Sequence, residues 1–336
     1  MKDGRRWIVL YNNVINGLSR PTSPLLPTTP TVPTGLNKVY TLMPTTGNTS
    51  VFAGHTETRV GTLPATFLSR AIAVDPVRNV VYVAPGEAPN MISVYSAETE
   101  KVIKHITVKS LFPSPEAIAL NLKTNRVYIG TLTGQLFVIN GHTFTQEKLI
   151  GKGQFPCRLT ALAVNAKSNV VYVVSGGGLS NELNIVNGST NEVLGPFTEG
   201  LANPSDVLVD ERTNLVYVSN YDGGTVSIYD GDSLEFLDEI LVGGSPKQME
   251  LDPVGNAVYV TNGDGYITVL DVVTNTIANT VTTRRTLVSV ALNPYTRRAY
   301  LAYKNRKFVD VMDMDQQQVI RVMPLEAHSL RIITLP

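Results

Sequence analysis

Residues 252–262, DPVGNAVYVTN, decide the fold, because they are one copy of a unit that recurs along the chain. A second copy, DPVRNVVYV at residues 75–83, has the same parts: an Asp, a turn that ends in Asn, and a β-branched run around a tyrosine. Such runs are typical of β-strands, and Asp or Asn at fixed positions is typical of tight turns. The Asp residues are therefore interpreted as turn residues rather than catalytic acids.

The tyrosine of this unit recurs at intervals of 41 to 46 residues. Its seven copies are Tyr40, Tyr82, Tyr128, Tyr172, Tyr217, Tyr259 and Tyr300. Each copy is followed by two further β-rich runs, such as 92–95 and 101–108. A period of about 40–50 residues with four short strands is typical of a propeller blade. The chain is therefore predicted to be all-β, a seven-bladed β-propeller with four-stranded blades.

Ring closure is predicted from a strand that the first repeat lacks. A Pro-rich stretch stands where the first strand of that repeat should be, whereas residues 330–335, LRIITL, follow the last strand of the seventh repeat at 319–323. We expect this C-terminal strand to pair with residues 36–42, because an unclosed array of sheets would leave an open edge. The predicted domains are an extended N-terminal arm, 1–35, and the propeller, 36–336.

The repeats resemble a known family. Tyr259-Val-Thr-Asn262 is the tetrapeptide that names the YVTN-repeat family, and Tyr217-Val-Ser-Asn220 differs from it by one conservative change. The resemblance covers residues from about 70 to 325 and implies a seven-bladed propeller. It also implies a setting at an extracellular surface, in an envelope or in virion assembly. Propeller enzymes similar to this fold, such as lactonases and streptogramin lyases, place His, Glu or Asp around the central channel.

Composition excludes several classes of function. The 28 Lys and Arg residues balance the 28 Asp and Glu residues, so no strong overall field favours nucleic acid as a partner. The single cysteine, Cys157, leaves no internal disulfide and no cysteine-based metal site. The apolar run at residues 7–11 is too short for a signal peptide or a transmembrane segment. The sequence does not identify the compartment.

The N-terminal arm has two parts. Prolines at every third position, Pro21, Pro24, Pro27, Pro30 and Pro33, predict a semi-rigid polyproline II spacer. Before it, a strand-like run has two apolar faces and consists of Arg6, Trp7, Ile8, Val9, Leu10 and Tyr11. A single strand of this kind needs a partner. We expect it to dock on another subunit or a second copy of the chain, with packing on its own propeller as the alternative.

The sequence contains no residues that match the catalytic sets of these propeller enzymes. His55, His105, His142 and His328 share no metal-site spacing, so neither a metal nor another cofactor is predicted. Alignment of the first strands places polar residues at the channel end in several repeats. The candidate channel or ligand residues are Arg70, Glu116, Lys247 and Glu250. A charge at such a position needs a partner or water, so an ion pair, a wet channel and a ligand site are the interpretations.

Charge is unevenly distributed along the chain. Residues 199–242 are acidic with Arg212 as their one base, whereas the seventh repeat is basic. Its candidate basic patch consists of Arg284, Arg285, Arg297, Arg298, Lys304, Arg306 and Lys307. Solvated surface, head-to-tail self-association and polyanion binding each fit this pattern.

Three functions remain open at this point. The first is a non-catalytic interaction or structural propeller, a subunit of a larger assembly docked through its arm. The second is a lactonase-like enzyme or a YVTN propeller that binds a small ligand in its channel, and converging polar side chains there would favour it. The third is polyanion or nucleic-acid binding through the basic seventh blade.

Overall fold

A computed structural model describes residues 37–335, apart from 44, 65–68, 85–90, 110–113, 152–153, 156–157, 178–179, 284 and 330. The predictions for the arm at 1–35, Cys157, Arg284 and Leu330 lie outside the described residues. Within the described part, 28 strands form seven four-stranded antiparallel sheets. The predicted seven-bladed, all-β propeller is therefore confirmed. The described residues form strands and turns, and none of them belongs to a helix that could cross a membrane.

The blades are numbered in chain order, and their strands are given from the first in each sheet to the fourth. Blade 1 contains β28 (Arg331–Leu335), β1 (Lys38–Met43), β2 (Asn48–Ala53) and β3 (Arg59–Pro64). Blade 2 contains β4 (Ala71–Asp75), β5 (Val80–Ala84), β6 (Met91–Ser96) and β7 (Val102–Thr107). Blade 3 contains β8 (Pro115–Asn121), β9 (Arg126–Thr131), β10 (Leu136–Asn140) and β11 (Thr145–Ile150). Blade 4 contains β12 (Leu159–Asn165), β13 (Val170–Ser175), β14 (Glu182–Asn187) and β15 (Val193–Phe197).

The other three blades repeat this order. Blade 5 contains β16 (Pro204–Asp210), β17 (Leu215–Asn220), β18 (Thr225–Asp230) and β19 (Phe236–Leu241). Blade 6 contains β20 (Pro246–Asp252), β21 (Ala257–Asn262), β22 (Tyr266–Asp271) and β23 (Thr276–Thr282). Blade 7 contains β24 (Leu287–Asn293), β25 (Arg298–Tyr303), β26 (Phe308–Asp313) and β27 (Gln318–Pro324).

The first strand of each blade contacts the first strands of both neighbouring blades, so these seven strands form a closed inner ring. The predicted closure is confirmed, because β28 pairs antiparallel with β1 in the register Leu335 to Lys38 through Arg331 to Leu42. Two bonds tie this strand to blade 7. The Thr334 hydroxyl donates to the Leu292 carbonyl at 2.6 Å, and the Ile332 amide donates to Ser289 Oγ at 3.0 Å.

The turns between first and second strands follow the predicted chemistry. Asp75 Oδ1 accepts from the amides of Val77 and Arg78 at 2.9 and 3.0 Å. Asn79, which ends this turn, has φ 55°, in the left-handed region that Asn tolerates better than most residues. The equivalent Asn125, Asn169, Asn214 and Asn256 adopt the same conformation. These acidic and amide side chains therefore shape turns, as the sequence predicted.

Candidate channel site

The inner strands enclose a central cavity of about 470 Å³. Blades 1 to 6 line it, whereas β24 of blade 7 is almost entirely buried. Positions in different blades can be compared through the repeat tyrosine, because Ala73 pairs with Tyr82 as Glu250 pairs with Tyr259. The residues equivalent to Ala73 and Glu250 are Ala119, Ala163, Leu208, Ala291 and Ile333. Glu250 is therefore the one ionisable residue at this level of the channel.

The neighbouring level, two residues earlier in each strand, divides into two halves. Blades 2, 3 and 4 contribute Ala71, Ala117 and Ala161, whereas blades 5, 6, 7 and 1 contribute Asp206, Gln248, Ser289 and Arg331. An apolar wall of small side chains thus faces a polar half-ring. The repeat does not explain this asymmetry, because nothing in the propeller fold requires polar side chains on one side of the channel only.

Most members of the polar half-ring bond to the next blade. Asp206 Oδ2 accepts from the Met249 amide at 2.8 Å. The Gln248 side chain accepts from the Val290 amide at 3.2 Å and donates to the Val290 carbonyl at 3.1 Å. Together with the bond from Ile332 to Ser289, these contacts connect blades 5, 6, 7 and 1 in sequence around the ring. Each of these side chains therefore stabilises an interface between blades as well as lying at the channel level.

Two carboxyl groups in the cavity have raised pKa values. Burial raises the pKa of Glu250 to about 8, and the Asp206 carboxylate adds to this, whereas Arg331 and the Gln248 side chain oppose it. Gln248 Nε2 donates to Glu250 Oε1 at 3.3 Å. Burial also raises the pKa of Asp206 to about 6, against the Arg331 charge and backbone amides that lower it. At neutral pH the pair thus holds a proton that isolated carboxyl groups would lose.

The structure places the four predicted channel residues at different points. Glu250 and Glu116 line the cavity, but Arg70 and Lys247 do not. Glu116 Oε1 accepts from Arg70 Nη1 at 2.6 Å, and its Oε2 accepts from Arg158 Nη2 at 2.8 Å, so Glu116 is neutralised by two arginines. The Lys247 ammonium lies 6.0 Å from the centre of the Tyr221 ring. Arg70 and Glu116 therefore form an ion pair, which is one of the three interpretations that the sequence left open, and Lys247 forms a separate contact.

Sequence reasoning missed Asp206, Gln248, Arg331 and Arg158. The first three could have been found by extending the repeat alignment to the alanine level and including the C-terminal strand as the seventh first strand. Arg158 precedes β12 and carried no repeat signal.

The described residues of the predicted basic patch lie at two opposite ends of blade 7. Antiparallel pairing of β24, β25 and β26 puts Arg297 and Arg298 at the opposite end of blade 7 from Arg285, Lys304, Arg306 and Lys307. Arg297 pairs with Asp252 and Asp315, and Arg298 pairs with Asp313. Arg285, Lys304 and Arg306 instead border an open pocket of about 710 Å³ together with Asp264.

The histidines lie away from the channel. His55 is at the turn after β2, His105 on the outer strand β7, and His142 in the turn after β10, while His328 precedes β28. None of them lines the central cavity. Among the residues that the structure describes, no three His, Cys, Asp or Glu side chains are grouped so that they could hold a metal ion.

Comparison with known proteins identifies the fold and not an activity. No family model matches the chain, and no curated protein matches it. Among solved structures, 1827 chains match, so the architecture is widely shared. One of them is the dihydro-heme d1 dehydrogenase NirN in complex with DHE, which superposes with a TM-score of 0.66 at 13% sequence identity. That match covers 89% of this chain and 75% of the other.

Proposed function

We propose that this chain is a non-catalytic binding propeller whose central channel takes a small polar ligand. One observation carries the proposal: Asp206, Glu250 and Arg331 line one cavity opposite a wall of alanines. A cavity of about 470 Å³ is within the range of small-molecule sites. Sites of this kind combine an apolar lining with a few polar groups that fix the orientation of the ligand.

The arrangement supports binding better than catalysis. Asp206 and Gln248 are held by backbone groups of the next blade, so the polar groups are positioned before a ligand arrives. None of the histidines lies in the cavity to act as a base or a nucleophile partner. Membership of the YVTN-repeat family belongs to the same proposal and rests on residues 259–262. The enzymatic alternative would require catalysis by the carboxyl pair alone.

The test is ligand binding that depends on free space in the channel. Ala119 lines the cavity, so Ala119→Phe should fill part of it, whereas Ala119→Ser keeps it open. We expect a chemically diverse set of small polar compounds to include some that raise the melting temperature of the wild-type chain and of Ala119→Ser but not of Ala119→Phe. If no compound shows this pattern while all three proteins are folded, the channel proposal is wrong.

A second candidate function is assembly through the N-terminal arm, residues 6–11. The outermost strand of blade 7 favours a structural role, because Val319, Ile320 and Val322 on β27 are 46%, 46% and 55% exposed. Apolar side chains on an unpaired edge strand are typical of surfaces that pair with another chain. Deletion of residues 1–34 should leave the propeller folded and should reduce its mass in solution from that of an assembly to that of a single chain. Equal masses by light scattering, at all concentrations and with any partner present, would contradict this candidate.

A further inference from the structure

Arg331 is the one member of the polar half-ring whose side chain makes no hydrogen bond or ion pair within the described residues. Asp206, Gln248 and Ser289 each bond to the backbone of the next blade. Arg331 lines the same cavity as Asp206 and Glu250 and influences the pKa values of both. Yet its guanidinium forms no ion pair with either carboxyl group. A guanidinium has five N–H donors and stays charged, so a half-buried one needs acceptors.

The position of blade 7 explains the separation. In the ring, Asp206 and Glu250 belong to blades 5 and 6, and Arg331 belongs to blade 1. Blade 7 lies between them, and its channel-level residues, Ser289 and Ala291, are small and buried. The positive and negative groups therefore lie on either side of a blade that contributes no residue to the cavity lining. On the opposite wall, Ala117, Ala119 and Ala161 are apolar, and the charge of Glu116 is paired with Arg70 and Arg158.

These charges select among ligand classes. A simple anion would pair with Arg331 but would meet the Asp206 carboxylate without compensation. A simple cation would pair with the carboxyl groups but would leave Arg331 unpaired and repelled. A molecule with a carboxylate at one end and an ammonium at the other would satisfy both sets of groups, and its hydrocarbon part would contact the alanine wall.

We infer that the channel ligand is a small zwitterion, with its carboxylate on Arg331 and its ammonium between Asp206 and Glu250. This inference rests on the proposed function of the channel. The guanidinium fork matches a carboxylate in a bidentate arrangement, and two carboxyl groups match the three donors of an ammonium.

Binding of such a ligand should be coupled to release of a proton. The groups that face the ammonium are Glu250, Asp206 and the Gln248 amide, with Arg331 beyond it. Glu116 is on the far wall, where Arg70 and Arg158 neutralise it. An ammonium next to Glu250 favours its carboxylate form, so the proton that Glu250 holds near neutral pH leaves to solvent.

The experiment is calorimetric titration of the full chain with ω-amino acids from 3-aminopropanoate to 6-aminohexanoate. The matched half-ligands are the n-alkylamines and the alkanoates of the same length. We expect one chain length to bind at least about tenfold more tightly than both of its half-ligands, because each end adds a charge-assisted contact. Titration in buffers of different ionisation enthalpy should show proton release.

Variants of Arg331 test where the carboxylate end of the ligand binds. Arg331→Gln should remove the advantage of the zwitterion over the amine, Arg331→Lys should restore part of it, and the surface control Arg306→Gln should leave it unchanged. Amine binding that equals zwitterion binding, or no zwitterion binding at all, would overturn the inference. If other compounds still stabilise the wild-type chain and Ala119→Ser but not Ala119→Phe, only the assignment of the ligand as a zwitterion is wrong. If no compound does, the channel function itself is wrong.

Discussion

At the scale of single residues, the hydroxyl of the repeat tyrosine links neighbouring blades in some repeats and not in others. The Tyr172 hydroxyl of blade 4 donates to the Gly231 carbonyl in the outer turn of blade 5 at 2.7 Å, and Tyr217 reaches Asn275 of blade 6 at 3.2 Å. In blade 1, Lys38 Nζ instead donates to the equivalent Ala97 carbonyl at 2.6 Å, and the buried Tyr40 hydroxyl has no partner in the described residues. The residue that marks the repeat in the sequence thus forms a hydrogen bond between blades at Tyr172 and Tyr217 but not at Tyr40.

Removal of this hydroxyl should lower the free energy of unfolding only in the repeats where it forms a hydrogen bond. We expect Tyr172→Phe to lower the free energy of unfolding by about 1 kcal/mol, because the buried hydroxyl and the Gly231 carbonyl lose their hydrogen bond. The matched control is Tyr82→Phe, since Tyr82 is equally buried but its hydroxyl has no partner among the described residues. That change should be neutral or stabilising. Urea denaturation of both variants measures the difference, and equal losses would contradict this role of the tyrosine.

Because of Glu250, the free energy of unfolding should decrease as the pH rises. Its pKa is about 8 in the folded protein against an ordinary value of 4.5. The stability it contributes is complete below pH about 4.5 and is lost as the pH rises to about 8, because the unfolded chain ionises first. The full difference would correspond to about 5 kcal/mol, and partial exposure to channel water should reduce the effect to about half of that.

Glu250→Gln should remove this pH dependence. We expect the stability of the variant relative to wild type to increase between pH 5 and pH 8 in urea denaturation. The raised pKa of Asp206, about 6, acts in the same direction at lower pH and remains in the variant. Glu235→Gln, at an exposed turn position, is the control and should follow wild type. A relative stability of Glu250→Gln that stays constant with pH would show that Glu250 is not a buried, protonated group.

The turn residues could be predicted from sequence, because an Asx turn depends on contacts within four residues. The bonds between blades could not, since they join residues far apart in the chain. Asn121 shows both cases: its Oδ1 accepts from the Lys123 and Thr124 amides, as predicted, and its Nδ2 donates to Asn169 of the next blade at 2.8 Å. The channel site was predicted in part. Glu250 and Glu116 were found from the repeat alignment, whereas Asp206 and Arg331 lie at a level to which that alignment was not extended.

At the scale of elements, β28 holds the ring together. Its backbone pairs with β1, and its Ile332 amide and Thr334 hydroxyl bond to β24 of blade 7. The sequence predicted this strand, because comparison of the first repeat with the other six shows that its first strand is missing. The bounds differed slightly, since β1 begins at Lys38 rather than at residue 36.

Removal of residues 329–336 should destabilise the whole propeller. The truncation exposes the inner edge of β1 and the side of β24, and it removes Arg331 from the channel. We expect a lower melting temperature and a tendency to aggregate. A synthetic peptide of residues 329–336 added in trans should restore part of the lost stability. A truncated chain that melts at the temperature of the full chain would contradict the closure by β28.

At the scale of the whole molecule, the ring is closed by a sheet shared between distant parts of the chain. Blade 1 takes one strand from residues 331–335 and three from residues 38–64. This arrangement connects the chain after blade 7 to the chain before blade 2, so blades 7 and 1 cannot separate without breaking the β28 pairing. The sequence predicted this architecture from its repeats, but the contacts between side chains of different blades required the assembled ring.

A circular permutant tests whether the shared blade slows unfolding of the propeller. Joining residue 336 to residue 37 and opening the chain between residues 325 and 326 would make blade 1 from one continuous segment, because Leu335 already pairs with Lys38. We expect the same circular dichroism and ligand binding, but unfolding at least about tenfold faster, since no covalent link then joins blade 7 to blade 1. Unfolding in urea at the wild-type rate would show that side-chain contacts alone hold the junction.

The shared blade also has a consequence during synthesis. Residues 38–64 leave the ribosome early, but their partner strand, 331–335, is made only after the other six blades. At about 5–20 residues per second, β1 waits roughly 15–60 s with an unpaired apolar edge. A chain that stalls before residue 331 would carry the same open edge indefinitely. The nascent protein should therefore need a chaperone that protects β1 until translation reaches the final strand.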